Sequence, residues 1–345
     1  MSRRAITLLI AGLGVLACLV IVFAVPVPYV ALIPGPTFNT LGPLSDKPVI
    51  QISGHRTFAA TGHLNMVTVS YIGGPGASPP FTIVDALQAW LSPHEAVVPQ
   101  QELFPPGQTQ QQVRKQDTEQ MAGSQQTAQA AALCQLGIAF TTNDTVTGTI
   151  SGLPAAGRLK RGDVIRAVDG TPVTCHRSAA SLIESRPVRS RVTLTISRKG
   201  QMRDISLRTA SYQGQPVVGV HVAESYTFPF KVTINIGNVG GPSAGLMFAL
   251  GIIDKITPVN LTGGKFIAGT GEIQANGTVL PIGGIQQKMA AARAAGATVF
   301  LAPAGNCRDT SGAVPPGLRV VKVSSLSGAI KALRELKAGK LAPPC

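Results

Sequence analysis

A long uncharged stretch near the N-terminus constrains the fold most: residues 5–34 carry no charged side chain, and AITLLIAGLGVLACLVIVFAVP is almost wholly apolar. About 20 apolar residues are enough for a helix to cross a bilayer. Two arginines precede the stretch and the next cation is Lys47, so the positive-inside rule predicts a short cytoplasmic tail. We expect residues 1–30 to form this tail and an uncleaved signal anchor, in the membrane over 5–29, with the remainder extracytoplasmic. A cleaved signal peptide is the alternative, although the apolar run exceeds the usual length of about 7–15 residues.

Charge and cysteine content narrow the class of partner and the compartment. The formal net charge is +14, but the basic residues are scattered and not interleaved with aromatic ones, which argues against nucleic acid and favours an anionic surface. Four cysteines follow the apolar stretch, in a compartment where disulfides persist. They allow three disulfide pairings, and the sequence does not choose among these. The cysteines do not have the spacing of a zinc site. The four are Cys134, Cys175, Cys307 and Cys345.

Composition divides the rest of the chain into segments. Residues 31–93 predict a Pro-rich spacer and then strands, of which HLNMVTVSYIG alternates in hydrophobicity. Residues 94–132 are rich in Gln and predict a polar helix or connecting segment. Short strands, one helix and tight Gly turns over 133–209 indicate a small β-rich domain. Strands and helices resume over 210–338, which leaves 339–345 as a C-terminal tail.

The β-rich unit resembles a PDZ domain of the type found in bacterial proteases. The resemblance rests on GRLKRGDVIRAVDGTPV, at 157–173, and on LGIAF, at 136–140, which stands where such domains keep the loop that binds a peptide C-terminus. Carried over by position, Gly137, Ile138 and Ala139 line that site, and a ligand C-terminus adds to the sheet as a strand. The alternative is a PDZ-shaped spacer whose groove is blocked by its own chain.

Ser243 lies in GGPSAG, where a Gly/Pro turn meets an apolar helix. A serine there is usually a helix cap, but the unpaired amides of a helix start also suit an oxyanion, here near Gly241 and Ala244. No histidine follows Ser243, which excludes the Ser–acid–His order of α/β-hydrolases. A lysine deprotonated by its surroundings is the other established base. Lys255 is too far along the same helix, about 18 Å at about 1.5 Å per residue.

Lys288 fits the role of base better. Ile285, Met289 and Ala292 recur at helical spacing, and Lys288 projects onto the same inward face within the first turn. Desolvation and the positive end of the helix dipole both disfavour an ammonium ion, so we expect its pKa to be lowered and a neutral amine to be available.

The stretch GTGEIQANGTVLPIGGIQQKMAAARAAGATVFLAP, at 269–303, closely resembles the proteolytic domain of Lon proteases, as does GGPSAG. The resemblance implies a Ser–Lys dyad of Ser243 and Lys288, oriented by Thr270, and a hexameric ring. Two departures stand out. No G-x-x-x-x-G-K-[ST] phosphate loop is present, and Gly240 replaces the acidic residue that Lon carries three positions before the serine.

Together these features predict an α+β chain: a Lon-type proteolytic domain with an inserted β-rich PDZ domain and one N-terminal transmembrane helix. The predicted function is ATP-independent cleavage of proteins or peptides outside the cytoplasm, with PDZ recognition of a C-terminus. No cofactor, metal or nucleic acid is expected. The alternatives are an inactive PDZ scaffold at the membrane and a Ser–Lys amidase acting on something other than protein.

Overall fold

Two sheets organise the computed structural model, which describes residues 3–345. The helices are α1 Arg3–Ala24, α2 Ile83–Leu91, α3 Gln100–Leu103, α4 Gln110–Gln135, α5 Ala179–Glu184, α6 Gly245–Ile256, α7 Ile285–Ala294, α8 Cys307–Thr310 and α9 Leu326–Lys337, with a 3-10 turn at Ala304–Asn306. The strands are β1 Tyr29–Asn39, β2 Pro43–Leu44, β3 Lys47–Pro48, β4 Ile50–Ser53, β5 His63–Gly73, β6 Ala96–Pro99, β7 Thr141–Thr149, β8 Val164–Val168, β9 Thr171–Pro172, β10 Arg191–Arg198, β11 Gln201–Arg208, β12 Ala210–Tyr212, β13 Gln215–Val217, β14 Val220–Thr227, β15 Lys231–Ile234, β16 Phe266–Gly269, β17 Glu272–Ile273, β18 Val279–Leu280, β19 Val299–Pro303 and β20 Arg319–Val323.

The first sheet joins the two ends of the chain. Its strand order is β20-β19-β16-β5-β1-β6, with β16 parallel to β5 and β19, and β1 antiparallel to β5 and β6. The predicted Pro-rich spacer is therefore wrong over 29–39, because this segment is an inner strand. Proline has no backbone N–H to donate to a neighbouring strand. The pairing register of β1 shifts between Pro34 and Thr37, and this irregularity lets the strand accommodate its prolines.

The second sheet forms a unit with a core of its own. Its order is β11-β10-β8-β7-β14, with β9 added to β8, and its buried side chains form a separate apolar cluster that includes Val146, Ile165 and Leu194. The sheet extends to Thr227, past the predicted end of the β-rich unit at residue 209, because β14 pairs with β7 along its whole length.

Helix α6 is the centre of the main core. Residues 244–254 are all buried, as expected for a helix that is apolar on every side. The Gln-rich segment packs against it: α4 contacts α6, and Ala128–Cys134 of α4 are buried. The segment predicted to be a polar helix or a connection is thus largely helical, and the C-terminal half of α4, which is rich in Ala, is part of the core.

The cysteines pair as Cys134–Cys175 and Cys307–Cys345, and Cys18 is free and exposed. The first bond joins the end of α4 to the loop before α5. His176 lies beside it, with Nε2 at 3.3 Å from Cys134 Sγ. The second bond holds the C-terminal segment, where Lys322 N–H also donates to the Pro343 carbonyl at 2.9 Å. The last residues are therefore docked against the first sheet.

Removing the second disulfide is expected to lower the stability of this docked end. The bond closes a segment with a sequence separation of 38, and disulfides of this kind typically contribute about 2–4 kcal/mol. We expect the Cys307→Ser/Cys345→Ser double variant to lose that much free energy of unfolding in urea titrations. Cys18→Ser, at the exposed free cysteine, is the matched control and should leave the midpoint unchanged. Equal midpoints for both variants would contradict the expectation.

Helix α1 has no buried residue and is long and apolar enough to cross a membrane. It ends at Ala24, and the chain enters the first sheet soon afterwards, at Tyr29 of β1. The predicted span at 5–29 is therefore helical to residue 24, and its final residues lead into the folded part.

Candidate active site

Ser243 lies in a turn whose backbone is hydrogen-bonded to the two residues that follow strand β16. Its carbonyl oxygen accepts hydrogen bonds from Gly271 N–H at 2.8 Å and from Thr270 Oγ1 at 2.9 Å. Thr270 is fully buried directly after β16. The side chain of Ser243 is left half-exposed at the start of α6, in a position reachable by a ligand.

Lys288 reaches Ser243 from α7. The helix begins after Gly284, whose φ of 67° is readily adopted only by glycine, and Ile285, Met289 and Ala292 bury one face. Lys288 lies on that face with 4% of its surface exposed. Its Nζ is 2.9 Å from Ser243 Oγ and 3.2 Å from Thr270 Oγ1. The predicted inward orientation of Lys288 is thus confirmed.

Burial lowers the pKa of Lys288 from its ordinary value of 10.5 to about 8. Its position as the fourth residue of α7 acts in the same direction, since a helix N-terminus disfavours a positive charge. Neutral amine is therefore available beside the serine hydroxyl, as about a tenth of Lys288 at pH 7 and about half at pH 8.

The amide of Gly241 is already used, which corrects its predicted place in an oxyanion site. Its N–H donates to the carbonyl oxygen of Asp117 in α4 at 3.0 Å. The N–H groups of Ser243 and Ala244 have no acceptor within the described residues, and both precede the first residue of α6. The N–H groups of Ser243 and Ala244 are therefore two donors open to an oxyanion beside the serine hydroxyl.

Helix α4 supplies contacts that the sequence did not indicate. Besides the bond from Gly241, Ser124 Oγ donates to the Pro242 carbonyl at 2.9 Å, so α4 holds both residues before the serine. A Cβ at Gly240 would lie 2.5 Å from Asp117 Cβ, which explains why this position is glycine. The capping residues Thr109 and Gln112 are a local signal for the start of α4. No local signal predicts that α4 docks onto a loop about 120 residues away in the sequence.

A cleft of about 1360 Å³ opens over Ser243 and Lys288. Its walls are α4, strand β5 and the segment 234–241, and none of the five histidines in the described chain lines it. The side chains on the α4 wall include Arg114, Asp117, Met121 and Gln125. Burial raises the pKa of Asp117 above its usual range. The cleft therefore gives a ligand access to Ser243 and Lys288.

The profile of the Lon protease (S16) C-terminal proteolytic domain matches residues 159–333, about half of the chain. The chain belongs to this family. The predicted class, a Lon-like serine peptidase, is confirmed at the level of the family. The match includes Ser243, Thr270 and Lys288, and it begins inside the second sheet unit.

Individual Lon relatives match only parts of the chain. The chain is 33% identical to the Lon protease of Geobacter metallireducens over 122 residues, which is 34% of this chain and 15% of that protein. It is 27% identical to the Lon protease of Rhizobium meliloti over 183 residues, or 50% of this chain and 22% of that protein. The chain therefore spans less than a quarter of the length of these Lon relatives.

Two of the three residues predicted to bind a peptide carboxylate, Gly137 and Ile138, end helix α4. Gly137 N–H donates to the Cys134 carbonyl at 3.1 Å and Ile138 N–H to the Leu133 carbonyl at 2.9 Å, as in a helix C-cap. Ala139 leads into β7, which is paired on both sides, so a peptide has no free edge there. The PDZ domain of an SdrC-like protein from Listeria innocua aligns with 23% of this chain and 92% of its own, at 26% identity and a TM-score of 0.22.

Proposed function

We propose that the protein is a serine endopeptidase in which Ser243 is the nucleophile and Lys288 the general base. Neutral Lys288 takes the Ser243 proton as Oγ attacks a peptide carbonyl, and then gives it to the leaving amine. Deacylation reverses the roles, with Lys288 activating water. Thr270 positions both groups, because its hydroxyl contacts Lys288 Nζ and the Ser243 carbonyl. The N–H groups of Ser243 and Ala244 stabilise the oxyanion.

One observation carries the proposal: the amine of an almost fully buried lysine lies 2.9 Å from the serine hydroxyl at the floor of a large cleft. A purely structural lysine would gain little from burial without a carboxylate partner, since desolvation of an ammonium ion is costly. This favours an enzyme over the alternative of an inactive scaffold.

Cleavage of an unfolded protein by the full chain, without ATP, tests the proposal. We expect the parent to cleave and Ser243→Ala to be inactive, because the chain has no phosphate-loop motif and the dyad needs no nucleotide. Cleavage that requires added ATP would contradict ATP independence. Cleavage by Ser243→Ala would contradict the nucleophile. A truncated protein must begin before Tyr29, because a later start removes part of β1.

Steric contact between Gly240 and α4 gives a further prediction for this activity. Gly240→Ala is expected to displace the serine loop, because the new Cβ would meet Asp117 Cβ, and misplacement by about 1 Å lowers activity by up to about 10²-fold. Adding Asp117→Gly removes the obstructing atom and should restore much of kcat/KM. Adding Asp117→Ala retains that atom and should not. Equal activity of the two double variants would contradict this explanation.

The proposed location is a membrane, with α1 as a single span and the folded part outside the cytoplasm. The length and apolarity of α1, the two arginines before it and two disulfides in the folded part support this location. Protease protection of the reconstituted or cell-bound chain tests the orientation, since an extracytoplasmic folded part is open to added protease in intact cells.

Peptide recognition by the second sheet unit is also proposed, at the outer edge of β14 rather than at residues 137–139. This edge ends the sheet and its residues are mostly exposed, and α4 contacts β14 as well as the serine loop. A peptide added there as a strand would touch the same helix that holds Gly241. Cleavage should respond to a peptide that can add to β14 as a strand and not to the same peptide with N-methylated backbone amides; equal responses would contradict strand addition.

A further inference from the structure

Helix α2 presents its apolar side outward. Trp90 and Leu91 are 73% and 76% exposed, and Leu87 on the same side is also exposed. At 3.6 residues per turn these side chains and Ile83 fall on one face, and Asp85 falls on the opposite face. Ala89 is the buried residue of the helix. A helix on a water-facing surface normally has the reverse arrangement.

An apolar pocket adjoins this face. It has a volume of about 400 Å³ and is lined only by apolar and aromatic residues, among them Val27, Tyr29, Ile83, Leu87, Trp90 and Val97. Asp85, the one carboxylate of α2, accepts hydrogen bonds from the backbone N–H and the hydroxyl of Thr82, both at 2.7 Å. The outward face of α2 and the pocket therefore contain no charge.

The apolar face lies where the chain leaves α1. Pro26 forms a bridge with Thr82, Val27 N–H donates to the Phe81 carbonyl at 2.9 Å, and α1 contacts α2. These contacts hold the start of α2 against Pro26 and Val27, which are two and three residues after the last residue of α1. A bilayer crossed by α1 would have its surface at this level.

We infer that α2 docks into the surface layer of the same bilayer that α1 spans, with acyl chains covering Leu87, Trp90 and Leu91 and entering the pocket. This inference rests on the proposed membrane anchor. Interfacial helices place an apolar face below the headgroups, and tryptophan is enriched at that depth. Because α2 also contacts β1 and β6, the docking fixes the first sheet relative to the membrane.

The chain contains one tryptophan, so Trp90 is a site-specific reporter without any substitution. The full chain is reconstituted into phosphatidylcholine–phosphatidylglycerol vesicles with and without brominated acyl chains, and its insertion is checked by flotation. We expect a several-fold loss of Trp90 emission with brominated lipid and protection from aqueous acrylamide. Leu87→Ser/Leu91→Ser should reduce both effects while the protein still floats.

The control moves the tryptophan. Trp90→Phe/Met202→Trp places it on β11, at an exposed position of the second sheet unit, and should be quenched by acrylamide and not by brominated lipid. A floating protein whose Trp90 behaves like this control would overturn the docking and leave the anchor intact. A protein that does not float would overturn both. Emission shielded from acrylamide, insensitive to brominated lipid and dependent on protein concentration would assign the face to a second copy instead.

Discussion

Replacing Lys288 by methionine is expected to lower kcat/KM for peptide cleavage by at least about 10³-fold, the size of effect found when a general base or nucleophile partner is removed. Methionine fills a similar volume but cannot accept the Ser243 proton. The amine is 2.9 Å from Ser243 Oγ, and no histidine of the described chain lines the cleft to take its place. The measurement is the initial rate on an unfolded protein substrate at saturating and subsaturating concentrations.

Two further variants separate chemistry from folding. Lys288→Arg keeps a positive charge but should stay inactive, because a guanidinium is not deprotonated in proteins. Lys255→Met is the matched control: Lys255 lies on α6, donates to the Leu41 carbonyl at 3.2 Å and does not line the cleft. Its activity should be close to that of the parent. An active Lys288→Arg protein would show that a neutral amine is not required.

Lys288→Met is also expected to stabilise the fold. Burial lowers the pKa of Lys288 from 10.5 to about 8, and one pKa unit corresponds to about 1.4 kcal/mol, so protonated Lys288 costs the folded state roughly 3 kcal/mol. Methionine removes this cost near neutral pH. We expect the free energy of unfolding of Lys288→Met to exceed that of the parent by up to roughly 3 kcal/mol at pH 7, from denaturant titrations.

The pH dependence of this difference follows from linkage. Between the folded pKa near 8 and the unfolded pKa of 10.5, the unfolded chain binds more protons at Lys288, so the stability of the parent rises with pH in this window. Below about pH 8 the full cost is present. The gain from Lys288→Met should therefore shrink from pH 8 to pH 10.5. A gap that stays constant with pH would contradict a depressed pKa.

The features that could be predicted from sequence are those with a local signal. The spacing of Ile285, Met289 and Ala292 predicts that Lys288 faces inward, and its burial confirms this. The GPSAG and TGEI segments identify Ser243 and Thr270 through family resemblance, and the structure brings both to Lys288. The catalytic roles of these residues remain predictions for the experiments above.

The features that were missed depend on distant contacts. Pro34 and Pro36 led to the prediction of a spacer where β1 lies. The bulge that accommodates them is defined by pairing with β5, which the sequence of β1 does not show. The polar composition of α4 did not indicate that it docks on the serine loop. One of its two hydrogen bonds to that loop uses the backbone carbonyl of Asp117, a group that every residue has. The loop at 137–139 was assigned from a short pattern, although the amides of Gly137 and Ile138 complete α4. Cysteine pairing likewise depends on the fold.

The rate at which a fluorophosphonate probe reacts with Ser243 as a function of pH tests the Ser–Lys dyad most directly, since it needs neither a known substrate nor a known partner. The dyad predicts labelling that rises with pH through an apparent pKa of about 8, is absent in Ser243→Ala, and is slow without that rise in Lys288→Met. Labelling of Ser243 that is equally fast in Lys288→Met, or a parent rate without this pKa, would contradict the assignment of Lys288 as the base.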